Sequence, residues 1–307
     1  MKRLLVAGLA VLMATSAMAQ DKEKYVLISH SDGTNVFWQV LAKGAHDAAE
    51  LVGADLDFRH PKRSADAVGQ AEIIDAAVAQ QVDGLIITIL DPDVVGPAVQ
   101  RAVDAGIPVI TANAGAAASP QYGGFYHVGQ DDYASGEGAG KVALDAGVTK
   151  HACYVNVASN ISLRARCEGY AAALGQPINV VEITSDPIEG KTRAAANLLS
   201  NEGIDGVLVT DPVACFATVN AIDELGLTGT INVGCFDNSA DVSAAIADGR
   251  VDFTIDQQQY LQGFYPVIGL HLYNKYGLLA GGNILTGPGF VTADNLDQVR
   301  DLAGTIR

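Results

Sequence analysis

The feature that most constrains this chain is the regular alternation of short β-rich segments with longer segments of helical periodicity. In the first half, the apolar pattern predicts strands at 25–29, 55–59, 84–89 and 107–111. The helices predicted between them cover 37–51, 65–80 and 92–105. Repeated βα units build a parallel sheet covered by helices, so the sequence predicts an α/β fold.

The alternation restarts after an irregular stretch at 113–126. Further helices are predicted at 132–146, 163–174, 191–200, 212–225, 239–247 and 258–276. Further strands are predicted at 152–157, 179–183, 206–210, 231–235, 253–255 and 290–292. About 290 residues exceed what one hydrophobic core usually organises, which indicates two domains, with the helix at 258–276 returning to the first.

The N-terminus has the pattern of a secretory signal. Lys2 and Arg3 precede an apolar run at 4–13, and small residues end at Ala19. We therefore predict a signal peptide at residues 1–19 and a soluble, periplasmic mature protein. The apolar run is too short for a stable membrane anchor. A buried N-terminal helix is the alternative, but a charged segment follows abruptly.

The mature chain is strongly acidic. The full sequence has 19 Lys and Arg against 35 Asp and Glu, a formal charge of −16. Removing Lys2 and Arg3 with the leader leaves 17 against 35, or −18. A surface of this charge repels a polyanion, and no basic run with interleaved aromatic residues is present. Nucleic acid is therefore not an expected partner.

The four cysteines all follow residue 150, and their spacings match no zinc motif. In an oxidising compartment an even number favours disulfides, for which three pairings exist. We favour Cys153 with Cys167 and Cys215 with Cys235, because each pair joins a predicted strand to an adjacent helix. Four free buried thiols are the alternative.

Motifs for enzymatic chemistry are lacking. The glycines at 136, 138 and 140 precede Lys141 without the spacing of a phosphate loop, and they are typical of close helix packing. The first strand is not followed by a dinucleotide-binding G-x-G-x-x-G. Neither G-x-S-x-G nor H-E-x-x-H occurs. We therefore expect a protein that is not an enzyme and that has no cofactor and no metal site.

Polar and aromatic side chains follow the predicted strands. In open α/β sheets, ligands bind beyond the carboxyl ends of the strands. The side chains found there are Asn35, Phe37, Trp38, Asn113, Arg164, Arg166, Asp186, Asp211, Asp237 and Gln257. Carboxylates and amides can satisfy hydroxyl groups, which both donate and accept, while aromatic rings cover C–H faces. The set indicates a site for a polyhydroxylated molecule.

Taken singly, these residues have ordinary structural explanations. Phe37 and Trp38 would equally pack the first turn of a helix into the core. Asp237 and Gln257 would equally be solvated loop residues. Asp211, which precedes a proline, has the pattern of a helix cap. The functional interpretation depends on the whole set.

Five segments carry short motifs in a fixed order: SHSDGTNVFWQVLAKGA at 29–45, GIPVIT at 106–111, RARCEGY at 164–170, VGCFD at 233–237 and TIDQ at 254–257. In this order they resemble the ribose-binding protein family, the periplasmic sugar-binding proteins of ABC importers. The resemblance covers essentially the whole mature chain. It implies ligand roles for Asn35, Phe37, Trp38, Arg166 and Gln257.

The resemblance implies the periplasmic binding protein-like I fold: two similar Rossmann-like parallel-sheet domains joined by a three-stranded hinge, with the ligand in the interdomain cleft. We expect an N-terminal lobe of residues 20–129 plus 257–286 and a C-terminal lobe of 130–256 plus 287–307. Crossovers are expected near 128–130, 256–257 and 287–288. An ABC transporter permease is the implied partner, a chemoreceptor is a further candidate, and the protein is expected to be a monomer.

Two positions depart from the family pattern. Ribose-binding proteins have adjacent Asp and Arg after the fourth strand, where this chain has Asn113 and an alanine. Asp186 stands at a position that is often aromatic. Because that charged pair is missing while Asp211 and Asp237 are kept, we predict a neutral monosaccharide, sugar alcohol or cyclitol rather than ribose. An anion would meet these carboxylates with only Arg166 to compensate.

Three other functions are compatible with parts of the pattern. A repressor effector domain would need an N-terminal DNA-binding segment, where this chain has a predicted leader. A sugar-modifying enzyme would need a phosphate loop, a metal set or a nucleophile. A receptor for signalling or chemotaxis without transport is the alternative that the sequence leaves open.

Overall fold

The computed structural model describes residues 22–307. The predicted leader, residues 1–19, lies outside this range. Within residues 22–307, no helix combines the length and the apolar character that crossing a membrane requires.

The first sheet has six strands: β1 (Lys24–Ile28), β2 (Asp55–Arg59), β3 (Gly84–Ile87), β4 (Val109–Ala112), β5 (His127–Gly129) and β11 (Ile284–Leu285). They are parallel and lie in the order β11-β5-β4-β3-β1-β2. Its helices are α1 (Val36–Val52), α2 (Ala67–Ala79), α3 (Pro92–Asp104) and α9 (Gln259–Tyr276). Alternate strand residues face opposite sides, so Leu27 packs with α1 and α9 while Ile28 packs with α2 and α3.

The second sheet consists of β6 (His151–Val155), β7 (Val180–Glu182), β8 (Gly206–Val209), β9 (Asn232–Phe236), β10 (Phe253–Asp256) and β12 (Gly289–Val291). It repeats the arrangement of the first sheet in the order β12-β10-β9-β8-β6-β7, except that β12 is antiparallel to β10. Its helices are α4 (Asp132–Asp145), α5 (Ile161–Leu174), α6 (Pro187–Ser200), α7 (Pro212–Glu224) and α8 (Ala240–Ala247). The expected fold of two similar parallel-sheet domains is confirmed.

The chain passes between the two sheets three times. The passages lie between β5 and α4, between β10 and α9, and between β11 and β12. Helix α9 packs on the first sheet although it follows the last parallel strand of the second. Because each segment is assigned to the lobe of the sheet that it joins, we propose lobe boundaries after residues 129, 256 and 286.

Several elements begin or end away from their predicted limits. Helix α6 begins at Pro187 rather than residue 191, because the Asp186 carboxylate caps its first turn. Strand β6 ends at Val155 rather than residue 157. The short strands β5 and β11 were not predicted, since two or three residues are too few to establish an alternating pattern.

Both predicted disulfides are present. Cys153 pairs with Cys167 and Cys215 pairs with Cys235, with Cα–Cα distances of 5.6 and 5.9 Å. These distances lie within the usual range for a disulfide. The first bond joins β6 to α5, and the second joins α7 to β9. Each therefore links a strand of the second sheet to a helix packed on it.

Candidate ligand-binding site

The carboxyl ends of the two sheets face a common cleft. Its deepest part is a cavity of about 70 Å³, the inner chamber, lined by residues that follow strands of both sheets. It continues into a partly open cavity of about 680 Å³, the outer chamber. The two chambers share six lining residues: His30, Asn35, Trp38, Asn156, Val157 and Asp211.

Eight of the ten side chains singled out from the sequence line the inner chamber: Asn35, Phe37, Trp38, Asn113, Arg166, Asp211, Asp237 and Gln257. Arg164 does not line it, and its Nε donates instead to Glu168 Oε1 at 2.9 Å. Asp186 does not line it either. It is exposed, and its Oδ1 accepts hydrogen bonds from the backbone N–H groups of Ile188 and Glu189, at 3.0 and 2.8 Å. An aspartate before a proline at the first helical position serves as a helix cap, and the neighbouring Ser185 lines the outer chamber instead.

Arg166 is fixed from several directions although it is almost fully buried. Its Nε donates to Asp132 Oδ1 at 2.9 Å and its Nη2 donates to Gln257 Oε1 at 3.1 Å. The guanidinium carbon lies 4.3 Å from the ring centroid of Phe236, in cation–π contact. The paired carboxylate compensates the buried positive charge. The guanidinium is therefore held in one orientation at the wall of the chamber.

The packing of α4 against α5 supports this position. A Cβ atom on Gly136 would overlap the carbonyl oxygen of Arg166, and one on Gly140 would overlap that of Tyr170. Glycine at these positions lets the two helix backbones approach closely. The prediction of close helix packing is thus confirmed for Gly136 and Gly140, whereas a Cβ atom on Gly138 would meet the ring of Phe290.

Gln257 connects Arg166 to Asp237. Its Oε1 accepts from Arg166, and its Nε2 donates to Asp237 Oδ1 at 2.6 Å. Asp237 has a φ of 70°, a left-handed conformation that aspartate tolerates better than most residues and that ends the strand. Burial raises the pKa of Asp237 to about 7, against the opposing effects of Arg166 and Gln257. Near neutral pH this carboxyl group can therefore both accept and donate hydrogen bonds.

Asp211 links the lobes. Its Oδ1 caps α7 by accepting from the backbone N–H groups of Val213 and Ala214, at 3.0 and 2.9 Å. Its Oδ2 accepts from Asn35 Nδ2 at 3.1 Å, a hydrogen bond that crosses the cleft. Burial raises the pKa of Asp211, while its hydrogen-bond donors oppose this shift. Asp211 thus has both the capping role and a position in the cleft.

The aromatic wall also has two roles. Phe37 and Trp38 are 5% and 6% exposed and belong to the core between the first sheet and α1. Their ring centroids lie 5.1 Å apart in an edge-to-face arrangement. Both residues also line the inner chamber. The packing and the ligand-site interpretations of these residues are therefore compatible.

His30 is a lining residue that the sequence did not reveal. Its Nδ1 lies 2.9 Å from Thr88 Oγ1, which accepts from Gln70 Nε2 at 3.1 Å. We assign the Thr88 hydroxyl as donor to Nδ1, which puts the remaining ring proton on Nε2. Burial lowers the pKa of His30 to about 4, so the imidazole is neutral at pH 7. A neutral N–H donor is thereby available at the chamber wall.

Asn156 and Gln262 were also missed. Asn156 directly follows β6, and its Nδ2 donates to Ser185 Oγ at 2.8 Å. The rule of reading strand ends would have found it had the end of β6 been placed correctly. Gln262, on α9, accepts from Asn113 Nδ2 at 3.1 Å and thereby orients it. No sequence signal indicated that contact.

The site has more negative than positive groups. Among the described residues that line the inner chamber, Arg166 is the one cation, beside the carboxylates of Asp211 and Asp237. Arg166 is also paired with Asp132. Across residues 22–307, no three His, Cys, Asp or Glu side chains form a group that could hold a metal ion. The arrangement offers fixed acceptors and donors in a buried cavity, which suits a molecule with many hydroxyl groups.

Comparisons with known proteins agree with this geometry. Residues 25–268 match the family model described as a periplasmic binding protein domain. The xylose/arabinose-binding protein XylF of Sulfolobus acidocaldarius is 27% identical over 290 residues, covering 89% of this chain and 72% of that protein. The ribose import binding protein RbsB of Escherichia coli is 28% identical, covering 84% of this chain and 87% of that protein.

A solved structure is similar over nearly the whole fold. It is a carbohydrate transporter from Acidothermus cellulolyticus 11B in complex with myo-inositol, 30% identical, with a TM-score of 0.86. The match covers 92% of this chain and 98% of that one. The resemblance to the ribose-binding proteins is confirmed, and the chain belongs to the periplasmic binding protein family.

Proposed function

We propose that this protein binds a neutral monosaccharide, sugar alcohol or cyclitol in the inner chamber and delivers it to the permease of an ABC importer. The observation that carries the proposal is the linked series of Arg166, Gln257 and Asp237, with Asp211 beside it in the same chamber. Each of these side chains is held by protein contacts, so the chamber is preorganised for hydroxyl groups.

The charge of the site supports a neutral ligand. Arg166 is already paired with Asp132, so it has little positive charge to offer an anion. Asp211 and Asp237 would repel a phosphate or carboxylate when ionised. The relatives named above are described as binding xylose, arabinose, ribose or myo-inositol, all of which are neutral polyols.

The N-terminal wall argues against ribose itself. Asn113 stands where ribose-binding proteins have the first residue of a charged pair, and Ala114 replaces its partner. Asn113 Nδ2 donates to Gln262, so this wall offers an amide in place of a carboxylate and a guanidinium. A ligand that depends on that charged pair would leave its hydroxyl groups underbonded here, at about 1–3 kcal/mol each.

Delivery would depend on closure of the lobes. The three passages between the sheets provide the hinge, and the hydrogen bond from Asn35 to Asp211 provides a contact between opposing walls. In this proposal, the leader at residues 1–19 exports the protein to the periplasm. The permease then recognises the closed form with ligand inside.

A thermal-shift panel tests the proposal. Ligand at 100 times its dissociation constant should add about 2.7 kcal/mol to the free energy of unfolding. The panel contains pentoses, hexoses, tetritols, pentitols and inositols, with amino acids and phosphate esters as comparison compounds. We expect at least one neutral polyol to raise the melting temperature. A shift with an amino acid or a phosphate ester alone would overturn the proposal.

Variants then test the site. Asp237→Ala and Arg166→Ala should each abolish the ligand-induced shift, because each removes a partner that the ligand and the network need. Asp186→Ala is the matched control, since Asp186 is an exposed carboxylate of the same lobe outside both chambers. Undiminished affinity in both cleft variants would remove the site assignment.

A further inference from the structure

The outer chamber is a continuation of the inner chamber with polar walls of its own. Trp38 and Asp211 line both, so a ligand in the inner chamber has one end at the entrance to the outer one. The further lining residues come from both lobes. They include Ser64 from the first, and Ser159 and Glu182 from the second.

The outer chamber is larger than the space that a single sugar ring would still need after filling the inner chamber. Its volume is about 680 Å³, against about 70 Å³ for the inner chamber. At roughly 30 Å³ for each water of the liquid, this is space for on the order of 20 waters. The chamber has this size although the lobes already meet at the hydrogen bond from Asn35 to Asp211.

Polar atoms that the fold does not use lie along its walls. Asn156 donates through Nδ2 to Ser185, while its Oδ1 has no hydrogen-bond partner among residues 22–307. His30 Nε2 likewise has none within that range. One acceptor and one donor are thus free at the boundary of the two chambers. Each of these two atoms can bind a hydroxyl group, which itself both donates and accepts.

The charge of the outer chamber restricts what can occupy it. Asp32, Glu182 and Asp211 line it, and none of its described lining residues is lysine or arginine. A phosphate or carboxylate there would be repelled. Hydroxyl groups, in contrast, can donate to these carboxylates, and charge-assisted hydrogen bonds of this kind are the stronger ones.

We propose that the outer chamber is a second subsite for a neutral hydroxylated ring, so that the preferred ligand has two rings, as in a disaccharide or a glycosylated cyclitol. This inference rests on the proposed function, which supplies the first ring in the inner chamber. The second ring lies between the loop at residues 156–159 and the segment at 30–34. It contacts Asn156 and His30 where the two chambers join.

Titration calorimetry with matched single-ring and two-ring probes tests the proposal. The pairs are xylose with xylobiose, and myo-inositol with galactosyl-myo-inositol. In at least one pair, we expect the two-ring probe to bind tenfold or more tightly than the single-ring probe. Equal or weaker binding of both two-ring probes, with the single-ring probes bound, overturns the second subsite and leaves the proposed function standing.

A variant separates the outer chamber from the inner one. Ala158 is exposed and lines only the outer chamber, so Ala158→Trp should remove the tenfold gain while leaving single-ring affinity within twofold. Ala280→Trp, in an exposed turn away from both chambers, is the control and should change neither affinity. An undiminished gain in Ala158→Trp overturns the subsite. Absence of binding by all four probes also overturns the subsite as proposed, while the thermal-shift panel decides the proposed function separately.

Discussion

Asp237 is the cleft residue whose charge should change near neutral pH. It is 5% exposed, and burial raises its pKa to about 7, whereas an aspartate in an unfolded chain has a pKa of about 3.9. Asp237→Asn keeps the size of the side chain and the oxygen that accepts from Gln257 Nε2. It removes the titration and replaces the other carboxyl oxygen with an NH2 group, so the pH dependence of stability is the quantity to compare.

The direction of the pH effect on stability follows from the number of protons that Asp237 binds in the folded and the unfolded state. Between about pH 4 and pH 7, the unfolded chain releases the Asp237 proton while the folded chain keeps it. The contribution of Asp237 to the free energy of unfolding therefore falls as the pH rises through this interval, and levels off above about pH 7. At about 1.4 kcal/mol per pH unit, the whole effect is about 4 kcal/mol, of which about 2 to 3 kcal/mol falls between pH 5 and pH 8.

Urea unfolding followed by circular dichroism at pH 5, 6, 7 and 8 measures this effect. Circular dichroism is needed because Trp38, the one tryptophan of the sequence, lies in α1 of the other lobe. The stability of Asp237→Asn relative to wild type should rise by about 2 to 3 kcal/mol from pH 5 to pH 8. The relative stability of Ala280→Ser, an exposed substitution that changes no ionisable group, should stay constant. A pH-independent difference for Asp237→Asn would refute the reasoning.

Other features of the structure give three further predictions. Gly136→Ala should weaken polyol binding at least tenfold in calorimetry, because a methyl group there displaces the backbone of Arg166. The control Gly281→Ala, whose methyl group meets open space, should bind as the wild type does. Equal affinities of the two variants would contradict this prediction. Asn35→Ser keeps a side chain that can cap α1, but the serine is too short to hydrogen-bond to Asp211. Ligand should therefore dissociate several-fold faster from this variant in stopped-flow measurements. An unchanged dissociation rate would remove the contact from the closure mechanism. Thiol titration of the denatured protein should find no free thiols before reduction and four after it, and any thiol without reductant would argue against one of the disulfides.

The general plan of this protein could be predicted from its sequence because parallel sheets follow strong rules. Alternating strands and helices determine a sheet covered on both faces, and ligands collect at the carboxyl ends of its strands. That rule located Asn113, Asp211 and Asp237 without any knowledge of their contacts. It also allowed each disulfide to be assigned, since a strand and its adjacent helix bring two cysteines within bonding distance.

The errors in predicting the site residues arose where a shift of one or two residues decides whether a side chain lies in the cleft. Asp186 and Asp211 both precede a proline and both cap a helix, yet only Asp211 also reaches the cleft. Whether such an aspartate reaches the cleft depends on where the preceding strand ends. Asn156 was hidden inside a strand predicted two residues too long. His30 directly follows the strand predicted at 25–29, where the strand-end rule applies, yet it was not singled out, although its side chain lies at the chamber wall.

Contacts between distant segments were beyond the reach of pattern reasoning. The hydrogen bond from Asn35 to Asp211 joins residues 176 positions apart, and that from Asn113 to Gln262 joins residues 149 positions apart. Such contacts depend on how the two lobes and the returning helix α9 are arranged. Periodicity along the chain contains no information on that arrangement.

Intrinsic tryptophan fluorescence tests the proposed binding of a neutral polyol most directly. Trp38 lines both chambers, so its emission reports on the cavity without a label. Titration with a neutral polyol should give a saturable change in emission that disappears in Asp237→Ala. A saturable change with an amino acid or a phosphate ester, and none with any neutral polyol, would contradict the proposed function.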